Sequence, residues 1–356
     1  MKKIMILDSS YPVNSRILRM YNYLKLISDV KIITWDRKGN FQDYSENHLV
    51  YNQKADYGNK LEKLKRIPSY YNFIKFNIDE FKPDILIASN WDMLALASLY
   101  KGKNKFKLFY ENRDMVSSKY SLIKCFLTFI ERISLKNTDA MILASRFFEE
   151  KYNYYKGRKV VIENKVPQEI VKYNKTKSGK LRISFIGSVR FYDILVNLIE
   201  ASQEFAEVEI NIYGEGPDRN KLQRFVEEKK ISNVIIHGRF DYLDIGKLYS
   251  ETDLVWSVYP NTENSNKKYV IPNKYFESIY FQTPGFFPAL TKTGNLVNDE
   301  QIGYVVDPSS KKDVFDKIKY ILENKGDIEN KKKKLVQYND DFIWENEILK
   351  VKNLLD

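Results

Sequence analysis

Two side chains one helical turn apart, Lys274 and Glu277, are suited to binding the phosphate and the sugar of a nucleotide. The pattern predicts a helix over Ile271–Phe281 that opens at Pro272, because proline is favoured at the first helical position. A lysine in the first turn lies at the positive end of the helix dipole, where phosphate binds, and a carboxylate one turn later can accept hydrogen bonds from both ribose hydroxyls. An exposed ion pair worth about 0.2–0.5 kcal/mol is the alternative that the spacing leaves open.

Acidic and polar side chains follow two predicted strands of the first half. Asp92 follows the strand Ile85–Ala88, and Glu111 and Asp114 follow the strand Lys107–Tyr110. Ligands of open α/β sheets bind at the carboxyl ends of strands. An acid there could orient an acceptor hydroxyl or act as a base, so Asp92, Glu111 and Asp114 are the candidate catalytic residues, and the sequence does not rank them.

The elements that must position these residues follow an α/β pattern, in which short runs rich in Ile and Val alternate with amphipathic stretches. The predicted strands of the first half are Lys3–Leu7, Asp29–Thr34, Ile85–Ala88, Lys107–Tyr110, Ala140–Leu143 and Val160–Ile162. Those of the second half are Arg182–Ile186, Val208–Tyr213, Val234–His237, Leu254–Val258, Gly285–Pro288 and Tyr304–Val306. Apolar residues at helical spacing predict helices over Ser15–Ile27 and Ser121–Leu135.

The polar, lysine-rich stretch Val166–Lys180 interrupts this alternation. We therefore predict an N-terminal α/β domain at residues 1–168, a linker at 169–180 and a second α/β domain at 181–340. The amphipathic segment Asp341–Leu355 predicts a closing helix.

The net charge of +11 is confined to the first half of the chain, since residues 1–170 carry 30 Lys and Arg against 19 Asp and Glu, and residues 171–356 carry 28 of each. This asymmetry favours an anionic partner, such as the inner leaflet of a membrane or a pyrophosphate-linked lipid. We expect no nucleic acid as a partner. A solvated lysine-rich surface is the alternative.

Other composition features limit the function classes. The single cysteine, Cys125, excludes an intrachain disulfide and a cysteine zinc site, and its apolar neighbours predict a small core residue. No run approaches the roughly 18 apolar residues that span a bilayer, and the N-terminus has too short an apolar run for a signal peptide. We expect a cytoplasmic protein, peripheral at most at the inner face of the plasma membrane. His48 is predicted to be a loop residue and His237 the end of a strand.

The order and spacing of several segments resemble the donor-binding half of family 4-type glycosyltransferases. These segments are ISFIGSVRFYD, INIYGEGPDRNKL, VIIHGRF, PNKYFESIYFQTPG and TGNLVNDEQIGYVVDP, and the stretch FIERISLKNTDAMILAS resembles a segment of the first domain. The resemblance implies the GT-B fold, two Rossmann-like domains with the nucleotide-sugar cleft between them. It also implies transfer of a sugar from a nucleotide-sugar to a glycan or polyprenyl-diphosphate-linked acceptor in bacterial surface polysaccharide or glycolipid biosynthesis. The base is left open between UDP and GDP, and a UDP-linked donor is preferred. The family retains anomeric configuration and uses no metal or other cofactor.

The resemblance also assigns donor-binding positions residue by residue. Glu277 stands at the second Glu of the family's E-x7-E motif, which holds the ribose, and the closing helix is implied to pack on the first domain. The implied donor-binding residues are Gly187, Arg190, Gly214, Gly216, Arg239, Lys274, Glu277, Thr293 and Gly294.

Three positions depart from the family pattern. Tyr269 replaces the first Glu of E-x7-E, beside the transferred sugar, and Glu263 is its potential substitute. Ser188 and Asp193 stand where the family has the Arg and Lys that clamp the diphosphate, so Arg190 is the remaining cation of that loop. The departures leave open a non-catalytic partner subunit on the same fold. A nucleotide-sugar epimerase is a further alternative, disfavoured by the near absence of histidine.

Overall fold

The structure, a computed structural model, describes residues 1–39, 46–55, 60–101, 106–118, 120–261, 266–338 and 342–355. It divides into two compact units. The first unit comprises Met1–Glu163 and Ile348–Asp356, and the second unit comprises Asn164–Glu347.

The first unit contains a seven-stranded sheet in the order β3-β2-β1-β4-β5-β6-β7, in which every pairing is parallel. Its strands are β1 (Lys3–Leu7), β2 (Asp29–Asp36), β3 (His48–Asn52), β4 (Ile85–Ser89), β5 (Lys107–Asn112), β6 (Ala140–Leu143) and β7 (Arg158–Val161). Its helices before the closing segment are α1 (Ser15–Leu24), α2 (Lys60–Phe81), α3 (Asn90–Lys101) and α4 (Ser121–Ser134). The strand order reverses between β1 and β4, the point at which doubly wound sheets bind ligands.

The second unit repeats this plan with a six-stranded parallel sheet in the order β10-β9-β8-β11-β12-β13. Its strands are β8 (Leu181–Ile186), β9 (Val208–Tyr213), β10 (Val234–Gly238), β11 (Leu254–Trp256), β12 (Gly285–Pro288) and β13 (Tyr304–Val306). Its helices are α5 (Tyr192–Ser202), α6 (Arg219–Glu228), α7 (Ile245–Ser250), α8 (Asn273–Tyr280), α9 (Lys292–Glu300), α10 (Lys311–Glu323) and α11 (Gly326–Val336), and it also contains all but the last residue of α12 (Trp344–Ile348). The predicted α/β class with two Rossmann-like sheets is confirmed.

The sheets are buried on both faces, as parallel sheets require. Ile4, Met5, Ile6 and Leu7 of β1 are fully buried, as are Ile210 and Ile212 of β9. Continuous apolar runs were therefore the signal by which these central strands could be predicted.

The prediction that His48 lies in a loop is wrong, because His48 begins the edge strand β3. Its Nε2 atom lies 2.8 Å from Oγ1 of Thr34 on the neighbouring strand β2. His48 is therefore held in the sheet by its strand pairing with β2 and by its side-chain contact with Thr34.

The prediction that Cys125 is a core residue is also wrong, because its side chain is exposed on α4. This helix buries its polar side instead of its apolar stripe. The carboxylate of Glu131 points inward and accepts hydrogen bonds from the hydroxyls of Tyr110 at 2.6 Å and Tyr152 at 2.9 Å.

The closing segment is not one continuous helix. It consists of α12, a 3₁₀ turn at Leu349–Val351 and a last helical turn, α13 (Lys352–Leu355). Asp341, where the closing helix was predicted to begin, lies outside the described residues. Ile348 and the residues after it belong to the first unit.

Close packing of α7 gives a test of the second unit. A Cβ atom on Gly246 would lie 1.9 Å from the backbone oxygen of Val171, so Gly246→Ala should destabilise this unit by about 1–3 kcal/mol. Gly326 begins α11 with no atom within 4 Å of such a Cβ, so Gly326→Ala should change the free energy by no more than about 0.5 kcal/mol. Urea unfolding measures both, and equal effects of the two substitutions would contradict the packing.

Candidate functional site

The carboxyl ends of β8, β9 and β10 meet at a set of glycines. The N–H of Gly187 donates to the oxygen of Tyr213 at 2.9 Å, and the N–H of Gly214 donates to the oxygen of Gly238 at 2.6 Å. These bonds continue the sheet pairing one residue beyond the strands and bring three connecting loops together at one edge.

Close backbone contact explains the predicted glycines at this edge. A Cβ atom on Gly214 would lie 1.9 Å from the oxygen of Gly187, and one on Gly216 would lie 2.2 Å from the oxygen of Val189. Gly214 also has a φ of +127°, which side chains disfavour. The absence of a side chain at Gly214 and Gly216 therefore allows the loops to pack against each other.

Lys274 brings its ammonium to the same edge. It lies in the first turn of α8, which begins at Asn273. Pro272 is the N-cap, so the helix begins one residue later than predicted. A Cβ atom on Gly187 would lie 3.0 Å from Nζ of Lys274, and Nζ is 4.8 Å from the ring centroid of Phe185. Burial and the nearby Arg190 lower the pKa of Lys274, although Glu277 opposes this shift.

Lys267 is a third cation at this loop that the sequence did not single out. Its Nζ lies 3.7 Å from the ring centroid of Phe191, and burial together with the charge of Arg190 lowers its pKa. Arg190 itself is exposed, and its Nε donates to Oγ of Ser188 at 3.1 Å. The structure thus gathers Arg190, Lys267 and Lys274 around residues 187–191.

Glu277 lies one turn after Lys274 on α8 and is only 3% exposed. Its Oε2 accepts a hydrogen bond of 2.9 Å from the hydroxyl of Tyr249 on α7. The Tyr249 ring stacks on Phe281 at 4.4 Å, and burial raises its pKa well above the usual value, so it remains a hydrogen-bond donor. Tyr249 therefore fixes the orientation of the Glu277 carboxylate.

The start of α9 anchors the segment that precedes α8. Thr293 donates from Oγ1 to the oxygen of Val270 at 2.9 Å, and Val270 lies between Lys267 and Lys274 in the chain. The N–H of Gly294 donates to Oγ1 of the N-cap Thr291 at 2.9 Å. Thr293 thus ties the start of α9 to the segment between Lys267 and Lys274, and Gly294 donates the capping hydrogen bond at the start of α9.

Arg239 follows β10 and is exposed at the same edge. His237 lies within β10, where its ring stacks on Tyr213 at 4.1 Å and its Nε2 is 2.7 Å from Oδ1 of Asn211. Asn211 thus orients the ring of His237, and His237 in turn packs against the ring of Tyr213.

The first unit has its own charged cluster at the carboxyl ends of β1, β4 and β5. Glu111 is fully buried, and its Oε1 accepts from Nε of Arg16 at 2.6 Å while its Oε2 accepts from Oγ of Ser89 at 3.3 Å. Nη2 of Arg113 lies 3.1 Å from Oδ1 of Asp8, and its Nε lies 3.8 Å from Glu111. Two buried carboxylates and two guanidiniums thus stabilise one another.

Asp8, like Lys267, is a residue that sequence reasoning missed. Burial raises its pKa above the ordinary value, against the opposing charge of Arg113 and a hydrogen bond from Ser10. An acid directly after the apolar run of β1 was the available signal, because this position lies at the carboxyl edge of the sheet.

The other two predicted acids lie outside this cluster. Asp92 is in the first turn of α3, where its Oδ2 lies 3.2 Å from Nζ of Lys63. Asp114 is exposed in the segment after β5. Glu263 lies outside the described residues, and the part of the chain that the structure describes contains no group of three His, Cys, Asp or Glu side chains suited to hold a metal.

Comparison with known families identifies the second unit. The model of the family described as glycosyl transferases group 1 matches residues 167–341. The chain carries a group 1 glycosyltransferase domain. The predicted resemblance to glycosyltransferases is confirmed over these residues, and the protein is a glycosyltransferase. No curated protein sequence matched the chain.

Solved glycosyltransferases share the fold over nearly the whole length. Sucrose-phosphate synthase from Thermosynechococcus elongatus has a TM-score of 0.80 at 13% identity and covers 100% of this chain and 98% of its own. HepE from Anabaena, solved with UDP, has a TM-score of 0.72 at 14% identity, with coverages of 100% and 99%. WaaG, a glycosyltransferase involved in lipopolysaccharide biosynthesis, has a TM-score of 0.67 at 14% identity, with coverages of 97% and 98%. The chain therefore has the GT-B fold.

The contact between Tyr249 and Glu277 gives a prediction for the site. Tyr249→Phe removes the donor to a buried carboxylate, so the free energy of unfolding should fall by about 1–3 kcal/mol. Tyr320→Phe, at an exposed tyrosine of the same unit, should leave it within about 0.5 kcal/mol. Chemical denaturation of both variants provides the measurement, and an unchanged stability of Tyr249→Phe would show that the hydroxyl does not support Glu277.

Proposed function

We propose that the second unit binds the donor, a nucleotide-sugar with UDP as its nucleotide, and that the enzyme transfers the sugar to a glycan or polyprenyl-diphosphate-linked acceptor in bacterial surface polysaccharide or glycolipid biosynthesis. The observation that carries the proposal is the convergence of Arg190, Lys267 and Lys274 at the carboxyl edge of a Rossmann-like sheet. HepE, a structural neighbour, was solved with UDP and with UDP-glucose, which supports the choice of nucleotide.

The three cations are proposed to hold the diphosphate. Burial, and to a lesser extent the charge of Arg190, disfavours the charged state of Lys267 and Lys274 and lowers their pKa values, although Glu277 opposes the shift at Lys274. A diphosphate between them would reverse this effect, because an opposite charge within about 4–6 Å favours the protonated amine. Lys267 and Arg190 thus take over the clamp that Ser188 and Asp193 cannot form.

Glu277 is proposed to accept hydrogen bonds from the ribose hydroxyls. It lies one turn beyond Lys274 on the same face of α8, so a phosphate and the ribose attached to it can reach both side chains. Tyr249 occupies one carboxylate oxygen from the side of α7 and holds the group in a single orientation.

Transfer is proposed to proceed with retention and without a metal ion. The leaving diphosphate gains charge in the transition state, and three preorganised cations supply the stabilisation that a divalent ion gives in other transferases. As the bond from the sugar to the diphosphate breaks and the bond to the acceptor oxygen forms, the proton of the acceptor hydroxyl passes to an oxygen of the departing diphosphate.

The first unit is proposed to bind the acceptor. Asp92 and Asp114 remain the candidates to orient the acceptor hydroxyl, whereas Glu111 is engaged by Arg16 and Ser89 and more simply positions the guanidiniums. Nη1 of Arg113 is buried with no hydrogen-bond partner among the described residues. A phosphate of a polyprenyl-diphosphate carrier would provide that partner, which supports an anionic lipid-linked acceptor.

Titration calorimetry with UDP, GDP and their sugars tests the donor site. UDP should bind, and Lys274→Ala and Glu277→Gln should each weaken binding by about tenfold or more, since each removes a charge-assisted hydrogen bond. Lys312→Ala, at an exposed lysine paired with Asp316 on α10, is the matched control and should bind like the wild type. If no nucleotide binds, the second unit is not a donor site, and a non-catalytic partner subunit becomes the better explanation.

A ligand series separates the diphosphate clamp from the rest of the site. Arg190→Ala and Lys267→Ala should each weaken UDP about tenfold while leaving the affinity of uridine unchanged, because uridine lacks the phosphates. Equal losses for uridine and UDP would mean that these residues support the fold of the loop and do not contact the diphosphate.

A further inference from the structure

Helix α4 exposes the apolar stripe that a helix of the first unit would be expected to bury. The exposed fractions are 87% for Leu122, 61% for Phe126, 60% for Phe129 and 47% for Ile133. The spacing of four, three and four residues places these side chains on one line along the helix. Single exposed apolar residues are ordinary, but a continuous stripe of this kind marks an interaction surface.

The opposite side of α4 is fixed to the protein, so the helix cannot simply be turned. Glu131 is buried and accepts hydrogen bonds from Tyr110 and Tyr152, and Ser134 is also buried. Rotation of α4 to bury the stripe would bring Glu131 into solvent and leave both tyrosine hydroxyls without their acceptor. The exposure of the stripe is therefore built into the fold.

Positive charge adjoins the C-terminal end of the stripe. A groove of about 610 Å³ lies between α4 and residues 154–157, and Phe129 and Ile133 of the stripe form part of its lining. Three cations, Arg132, Lys136 and Lys156, line it as well, and none of the described residues lining it is acidic. The guanidinium of Arg132 is held 4.4 Å from the ring centroid of Tyr154. We call the four stripe residues and these three cations the α4 face.

We propose that the α4 face docks on a bilayer that contains anionic phospholipid, with the aromatic and aliphatic side chains in the interfacial region and the three cations at the lipid phosphates. Apolar residues on one side of a helix with flanking cations are the combination that binds such surfaces. The basic excess of residues 1–170 acts in the same direction. The described part of the chain has no helix long and apolar enough to cross a membrane, so the contact would be peripheral.

A second copy of the chain fits this face less well. In a two-fold dimer the same patch meets itself, so the cations beside the groove would approach those of the other copy. A lipid surface supplies phosphates to all of them. Membrane docking would bring the enzyme to the proposed lipid-linked acceptor. Its biological purpose, but not the binding itself, rests on that proposed function.

The only cysteine of the chain provides a native reporter. Cys125 is exposed on α4, immediately before Phe126, so it can be labelled with an environment-sensitive fluorophore without any substitution. Vesicles of phosphatidylcholine with phosphatidylglycerol should shift the emission to shorter wavelength and increase it. Vesicles of phosphatidylcholine alone should give a much smaller change, and added salt should weaken the response to the anionic vesicles.

Co-sedimentation of the unlabelled protein with the same vesicles tests the residues. The double variant Phe126→Ser with Phe129→Ser should bind anionic vesicles at least about tenfold more weakly. Phe76→Ser is the matched control, because Phe76 on α2 is 63% exposed but lies outside the α4 face, and it should bind like the wild type. The triple variant Arg132→Gln, Lys136→Gln and Lys156→Gln should lose the preference for anionic lipid.

UDP binding distinguishes a failure of membrane docking from a failure of the proposed donor site. UDP titration of the same double variant should be unchanged, so that loss of vesicle binding with intact UDP binding supports the proposal. Unchanged vesicle binding by the double variant, or no binding by the wild type, would overturn it. Sedimentation velocity showing a dimer that the double variant abolishes would assign the α4 face to self-association instead.

Discussion

The burial of cations at one loop is the constraint on which the proposed donor site of the second unit depends. Arg190, Lys267 and Lys274 arrive from three separate segments, and the protein keeps them near one another at the end of a parallel sheet. Burial of an ammonium group costs free energy, and a neighbouring cation such as Arg190 adds to that cost, whereas a nearby anion offsets it. The diphosphate of the proposed donor would offset this cost.

The surrounding structure serves to hold these cations in place. Glycines at 187, 214 and 216 let the ends of neighbouring strands pack at backbone distance, and this packing leaves room for the ammonium of Lys274. Thr293 anchors the segment between Lys267 and Lys274, and Tyr249 fixes Glu277. In the first unit, the ion pairs of Asp8 and Glu111 with the two arginines hold charged groups at the carboxyl ends of the strands of its own sheet. Both halves thus concentrate charge at the carboxyl ends of their strands.

The sequence predicted the features that depend on local pattern. Apolar runs ending in Gly or Asp predicted the central strands, and helical spacing predicted that Lys274 and Glu277 share one face of a helix. Lys267 and Tyr249 could not be predicted, because they reach the site through tertiary contacts and nothing distinguishes Lys267 from its neighbour Lys268 in the sequence. Periodicity also identified α4 correctly but not the side that the fold covers, since a buried Glu131 reverses the usual rule. The donor and acceptor roles of the predicted residues stay predictions.

The measurement that tests the central claim most directly is a crystal structure of the protein with UDP bound. The diphosphate should lie within hydrogen-bonding distance of Nζ of Lys274, beside Gly187. Arg190 and Lys267 should turn toward its oxygens, and the ribose hydroxyls should lie at Glu277. A diphosphate bound elsewhere in the second unit, with the three cations unchanged and without contact to it, would contradict the account.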